Sequence, residues 1–404
     1  MKFLRNRTFR NLWAASTISN FGTMFGALSL TALIFLDASP AEMGLLTAAA
    51  SSPVLIFALV AGVWVDRLPR IPVMVIADLG RFAIFMTVPI AALVGSLHIE
   101  QLYVVSFVAG TLSVLFDLAF RSALPVLVPR DRLIDANSAL RMSESVAASA
   151  SPAIGGAVVQ SLGGPVAVLA DAVTYLLSGP FISRTPSPAS NDRPQRRSAL
   201  AEALEGCRFV IHQPVLRAVF GMVGTYSFFG GFILTLYGLW VIEGLGFSPL
   251  TLGILLGSGS IGSLVGAGLA GPTARRLGLG RSIVVTYAVA ATLLFLTPLA
   301  GGPAWLALMM LLTEEFLGDT FWTMHNIHAL SMRQTITPDD SLGRVNAVFL
   351  FASQGLRPFG ALAAGLVAGL IGVQGALLLS ASGISVAVLW LVLSPLLRGV
   401  PQRG

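Results

Sequence analysis

The stretch Gly62-Val-Trp-Val-Asp66-Arg67-Leu-Pro-Arg70 places three charges between two long apolar segments. A degenerate echo, Gly271-Pro-Thr-Ala-Arg275-Arg276-Leu-Gly278, follows 209 residues later. The lead-ins match at the same offset: Ser39-Pro40 with Gly44 and Leu46 returns as Ser248-Pro249 with Gly253 and Leu255. Further on, Pro129, Asp131 and Asn137 return as Pro338, Asp340 and Asn346. Identities at one fixed offset of half the chain imply a duplicated unit. Chance self-alignment of Gly-rich apolar sequence is the alternative, and it does not account for one offset serving several separate stretches.

Composition says what the duplicated unit is made of. The 404 residues are 55% hydrophobic and only 11% charged, with a mean hydropathy of +0.82. Soluble domains carry about a quarter charged residues, so a soluble globular chain is excluded. The net charge of +6 comes from basic residues dispersed among apolar spans rather than gathered on one domain, so nucleic acid is not an expected partner. The single cysteine, Cys207, excludes an internal disulfide framework and a cysteine-based metal cluster. Lys2, Arg5, Arg7 and Arg10 precede a first apolar run that is too long for a signal-peptide core and lacks a following cleavage site, so it reads as a membrane span.

A membrane-spanning helix needs about 20 mostly apolar residues. Twelve segments qualify, at roughly 11–36, 42–65, 72–95, 101–122, 139–161, 165–183, 214–242, 250–271, 281–300, 303–329, 343–368 and 372–397. With the N-terminus inside, the inner loops hold Arg67 and Arg70, Arg130 and Arg132, the run from Arg193 to Arg208, Arg275 and Arg276, and Arg333. The outer loops hold Asp37, Glu42, His98, Glu100 and Glu243 and no Lys or Arg. That asymmetry places both termini in the cytoplasm. Between the halves, 184–213 begins with linker composition and ends in an amphipathic helix. This helix carries Leu200, Leu204, Cys207 and Ile211 at helical spacing and suits the cytoplasmic membrane surface. The expected fold is an all-α membrane protein of twelve transmembrane helices in two pseudo-symmetric six-helix bundles, 1–183 and 214–404. Such internal symmetry is characteristic of secondary transporters.

The loop Gly62-x-x-x-Asp66-Arg67-x-x-Arg70 resembles the signature between helices two and three of the major facilitator superfamily, with Pro69 in place of the usual glycine and Ile71 in place of a usual basic residue. The stretches Phe9-Arg-Asn-Leu-Trp13, Ile76-Ala-Asp78 and Ala123-Leu-Pro-Val-Leu-Val-Pro129 followed by Ala136-Asn137 are most similar to the bacterial macrolide-efflux and siderophore-exporter group. Ser151-Pro152-Ala-Ile-Gly155-Gly156 resembles the end of the antiporter motif of drug/proton exchangers, though small residues also serve close helix packing. The arginine motif of helix four in many proton-coupled exporters is not recognisable here. From the resemblance, Gly62, Asp66, Arg67 and Arg70 are expected to form an inner gate. In it the loop arginine meets an acid on span four, where Asp117 and Arg121 lie one turn apart.

Other residues are singled out by their chemistry. Span ten holds Glu314, Glu315 and Asp319, and span eleven holds Arg357. Ionisable groups inside a span are expensive and mark function by default, so these four are the expected proton-coupling set. Glu315, Asp319, Trp322 and Asn326 follow one helical face. Arg357 stays charged and needs an acid partner or an anionic ligand. Asn20 and Thr23 on span one, Tyr226 and Phe232 on the aromatic-rich span seven, and Trp322 and Asn326 are the expected substrate-binding residues. Lipid-facing rings and helix–helix hydrogen bonds are the competing readings. His325 and His328 lie at i,i+3, which a metal pair allows, but hydrogen-bonded helix residues fit better. No enzyme constellation and no phosphate-cradling Gly-rich loop is present. The expectation is proton-driven export of an amphipathic, drug-like or siderophore-like molecule by alternating access, without cofactor or metal. The protein would act as a monomer in the bilayer of a bacterial inner membrane. Uptake of a nutrient or lipid-like solute and a non-transporting membrane receptor are the alternatives.

Overall fold

In hydrocarbon every backbone N–H and C=O must find an internal partner, and a single chain segment does that only as a helix. A computed structural model describes residues 7–23, 26–57, 69–128, 132–185 and 199–398, and among these no strand occurs. The first half contains α1 (Arg7–Thr23), α2 (Ala27–Leu30) running into a π-helical turn (Thr31–Phe35), α3 (Pro40–Phe57), α4 (Arg70–Leu93), α5 (Ile99–Leu127), α6 (Leu133–Leu162) and α7 (Gly164–Ser183). The second opens with α8 (Ala199–His212) and α9 (Pro214–Leu239), which ends in a π turn (Trp240–Gly244). Then come α10 (Pro249–Leu277), α11 (Leu279–Leu293), the single turn α12 (Leu296–Leu299) and α13 (Ala304–Thr313). A third π segment (Glu314–Gly318) leads into α14 (Asp319–Ile336), followed by α15 (Asp339–Gly355), α16 (Arg357–Val386), α17 (Val388–Val392) and a last 3-10 turn (Pro395–Arg398).

Among the described residues nine stretches are long and apolar enough to cross a membrane. One of them, Ser341–Val392, has 52 residues, more than twice the length one crossing requires. It turns inside α16 at Gly372, whose φ of 78° and ψ of 163° belong to a region that is essentially glycine-only. Two expected spans are absent from the nine: α6, and the α13–α14 pair that contains Glu314, Glu315 and Asp319.

The repeat seen in the sequence is also written in the backbone. Thr31–Phe35 and Trp240–Gly244, both π-helical, lie 209 residues apart. So do Gly163, at φ 88° and ψ 161°, and Gly372. The helices α3 and α10 start at Pro40 and Pro249, and α4 and α11 at Arg70 and Leu279, again at that offset. Ser39 and Glu42 form a reciprocal capping box at the start of α3, each accepting from the other's backbone N–H. At the equivalent place Ser248 Oγ accepts from the Thr251 N–H at 3.2 Å.

The chain divides into two compact units, Met1–Arg196 with Ser248–Gly257, and Arg197–Phe247 with Ser258–Gly404. The first has a core that includes Phe9, Leu12, Met74, Phe116, Ala119 and Ile182. Its share of α10 meets α6 backbone to backbone. A Cβ at Gly156 would stand 2.2 Å from the Pro249 carbonyl oxygen, and one at Gly253 2.2 Å from that of Pro152. In this structure the Ser151–Gly156 stretch serves close helix approach.

The second unit is centred on Leu216, Met222, Ile283, Tyr287, Val345 and Ile384, and the Tyr287 hydroxyl donates to the Ile384 carbonyl at 2.9 Å. There α9 lies along α16, with Gly231 against the backbone of Arg357 and Ala361, and Gly360 against the Phe228 carbonyl. The amphipathic helix α8 docks on α15 through part of its predicted stripe: Cys207 packs against the core. Gly206 meets the Arg344 backbone, Val210 is buried, and Glu205 pairs with Arg344. Leu204 and Ile211 stay exposed, so an apolar strip remains on the helix after docking.

Candidate functional site

The second unit encloses a cavity of about 540 Å³ between α9, α14, α15 and α16. Tyr226 and Trp322 form its aromatic wall, stacked with ring centroids 3.8 Å apart and an interplanar angle of 17°. His325 also stacks with Trp322, 5.6 Å away at 20°. Asn326, Arg333, Asn346, Phe349, Ser353 and Arg357 also line the space. Arg357 is carried there by a break in the helix. Pro358 has no N–H to donate, so the ladder is interrupted between α15, which ends at Gly355, and α16, which starts at Arg357.

Of the expected substrate-binding residues, Tyr226, Trp322 and Asn326 line this cavity, and so does Arg357 from the coupling set. Phe232 does not. It is 1% exposed and packs against Phe228 and Phe229, one turn earlier on the same helix. Asn20 is half-buried on α1, with its amide 3.5 Å from the Ser16 hydroxyl. The side chain of Thr23 lies outside the described residues, as do Gly62, Asp66 and Arg67 of the expected gate. Arg70 opens α4. Asp117 and Arg121 are both exposed on α5, and among the described residues neither joins an ion pair with the other or with Arg70.

The acids of the coupling set sit apart from the cavity lining. A Cβ built on Gly259 of α10 would stand 2.6 Å from Asp319 Oδ2 and 2.7 Å from Glu315 Oε2, so these two carboxylates converge on the space that glycine leaves. Glu314 turns along its own helix toward Gly318. Straight α-helical counting puts Glu315 and Asp319 on one face with Trp322 and Asn326. The π segment Glu314–Gly318 inserts an extra residue into a turn and shifts Glu315 out of phase with α14, while Asp319, the first residue of α14, keeps its register with Trp322 and Asn326 but is not part of the cavity lining. No ion pair links Arg357 to any of the three acids among the described residues.

Sequence reasoning missed Arg333, which it assigned to an inner loop. The residue belongs to α14, its guanidinium lies 4.6 Å from the centre of the Phe349 ring, and its Nε is buried without a partner. The signal was present: Trp322, Asn326, Ala329 and Arg333 recur at i, i+4, i+7 and i+11. The two histidines are hydrogen-bonded helix residues. His325 Nδ1 donates to the Ile283 carbonyl at 3.0 Å and His328 Nε2 to that of Ala270 at 2.8 Å.

A second charged cluster lies in the first unit. Arg81 on α4 pairs with Asp78, and the Ser178 hydroxyl donates to the same carboxylate. The guanidinium lies between the rings of Phe116 and Tyr175, at 4.6 and 4.4 Å from their centres.

Comparison with known proteins sets these features in context. Residues 1–400 match the family described as transmembrane secretion effector. The multidrug efflux pump Tap of Mycolicibacterium fortuitum is 29% identical over 90% of this chain and 87% of its own. The enterobactin exporter EntS of Citrobacter koseri is 26% identical over 76% of this chain and 72% of its own. An uncharacterized transporter of Bacillus subtilis, 29% identical, aligns over 53% of this chain and 52% of its own length. The crystal structure of a bacterial ferroportin homologue in its inward-facing state superposes with a TM-score of 0.75 at 16% identity, covering 96% of this chain and 98% of that one.

Proposed function

Because the chain belongs to the transmembrane secretion effector family of the major facilitator superfamily, and is therefore a multi-pass membrane transporter rather than an enzyme, we propose that it exports an amphipathic small molecule in exchange for protons. The reading counts the 52-residue stretch as two crossings and adds α6 and the α13–α14 pair, which gives twelve spans. They form bundles of 1–183 and 214–404 joined by a cytoplasmic linker, with both termini inside a bacterial inner membrane. Transport proceeds by alternating access in a monomer. The direction of transport is supported by the efflux and export functions named for the relatives.

The observation that carries the coupling is the convergence of Glu315 and Asp319 on Gly259, inside membrane-length helices, with Glu314 beside them and no cation paired to any of them among the described residues. Two carboxylates that share one space resist simultaneous ionisation, so together they hold a proton that a change of conformation releases. The gate expected at Gly62, Asp66, Arg67, Arg70, Asp117 and Arg121 is kept as part of the proposal.

The test uses proteoliposomes with an imposed pH gradient and a dye that reports internal pH. Addition of a transported amphipathic compound is expected to move protons through the parent. Glu315→Gln is expected to abolish that flux while still exchanging labelled for unlabelled compound. If Glu315→Gln drives the compound uphill as the parent does, the coupling role is lost.

A further inference from the structure

We infer that the cavity of the second unit is an anion site: its preferred occupant is a flat aromatic molecule bearing a carboxylate or another negative group. The inference deepens the transporter reading by naming the substrate class and rests on that reading only for the word substrate. Two guanidinium groups, Arg333 and Arg357, line one space of about 540 Å³. A guanidinium remains charged at any relevant pH, and half-buried, as both are here, it binds a counter-charge by charge-assisted hydrogen bonds. Among the described residues no carboxylate lines this cavity and no ion pair engages either arginine. In the first unit, by contrast, buried Arg81 has an ion-pair partner in Asp78, although its Nε too is without a hydrogen bond.

Three further observations specify the ligand. The Tyr226–Trp322 pair gives the cavity an aromatic wall against which a planar ring can pack. Arg333 Nε and Asn346 Oδ1, one donor and one acceptor, are both buried without partners, although most buried polar atoms are satisfied. They leave polar capacity unused in the wall of the cavity. Arg357 opens α16 directly after the helix break, so the positive end of that helix adds to its charge. A hydrophobic cation, the other common class of amphipathic cargo, would find the aromatic wall but face two positive charges at close range.

The experiment compares three molecules with one ring system, naphthoate, naphthylmethylammonium and naphthylmethanol. Their binding to the full chain in lipid nanodiscs is measured by calorimetry. Naphthoate is expected to bind more tightly than the alcohol, and the alcohol more tightly than the cation. Arg333→Gln and Arg357→Gln are each expected to weaken naphthoate roughly tenfold, the loss of one charge-assisted hydrogen bond, and to weaken the alcohol less. An unaltered thermal unfolding midpoint reports that each variant is folded. Arg333→Lys and Arg357→Lys retain the order of preference with lower affinity. Absence of naphthoate binding, equal or tighter binding of the cation, or naphthoate affinity indifferent to both glutamine variants overturns the inference. Proton-coupled movement of a cationic dye by protein that fails these binding tests leaves the transporter reading standing without the anion site. Arginine-dependent naphthoate binding without transport of any compound leaves the site standing without the transporter.

Discussion

Arg81 in the first unit and Arg357 in the second both sit within helices of a membrane protein, and the chain surrounds them differently. Arg81 is 3% exposed, paired with Asp78 and held between two rings. Arg357 is half-buried at a helix break, lines the cavity that Arg333 also lines, and has no acid partner among the described residues. The offset of 209 sharpens the contrast. The halves agree at their π turns, at Gly163 and Gly372, and at the starts of α3 and α10, all features of backbone geometry. They disagree in charge: Asp78 and Arg81 correspond to Tyr287 and Ala290, and Arg333 and Arg357 to Leu124 and Ala148. The third π segment, Glu314–Gly318, corresponds to 105–109, which is ordinary α-helix within α5. What the two copies share builds the fold, and what one copy alone carries is available for chemistry.

The largest effect should come from Arg81→Gln, which leaves the Asp78 charge buried and unpaired. Breaking a buried pair costs about 3–5 kcal/mol, so the unfolding midpoint in detergent should fall sharply, and Asp78→Asn added to it should recover part of the loss. The same midpoint after Arg357→Gln should scarcely move; equal losses at both arginines would erase the distinction between a sealed pair and an open site. Next in size are Gly163→Ala and Gly372→Ala. Each forces a side chain into a glycine-only conformation at about 1–3 kcal/mol, and thermal unfolding should register the same loss at both. A loss at one alone would mean that the halves no longer share that turn.

Asn326 corresponds to Asp117, so Asn326→Asp brings a first-half charge into the second-half cavity. Calorimetry should show naphthoate weakened by roughly tenfold, about 1.4 kcal/mol, through like-charge repulsion; tighter binding would contradict an anion site. The smallest effect belongs to Glu42→Thr, which makes the first capping box resemble the second. It should cost about 0.3–1 kcal/mol in thermal unfolding, and a larger loss would point to a role beyond the cap.

Much of the fold was legible because hydrocarbon imposes one rule on every segment, so length and hydropathy suffice to find helices, and a duplicated chain announces itself at a fixed offset. The site was legible in part. Tyr226, Trp322, Asn326 and Arg357 converge on one cavity because a polar or aromatic stripe within a span marks the side away from lipid. Arg333 was missed because hydropathy ends the tenth span near residue 329, whereas the helix runs to Ile336. Phe232 was misplaced because an aromatic-rich helix offers rings on every side, and only its packing on α16 decides which are covered. The stripe from Glu315 to Asn326 was counted with an unbroken period, and a π segment, for which sequence has no reliable signature, changes the phase partway along.

The single-glycine turn at Gly372 also bears on how the protein is made. It leaves no loop between the two halves of the 52-residue apolar stretch, so a chain emerging from the ribosome has no slack with which to seat one half in the bilayer and hold the other in water. The stretch from Arg357 onward should therefore enter as a hairpin, with its tip at Gly372 leading and each helix shielding the other's backbone as it crosses. Gly163 joins α6 and α7 by the same kind of turn, so that pair meets the same constraint.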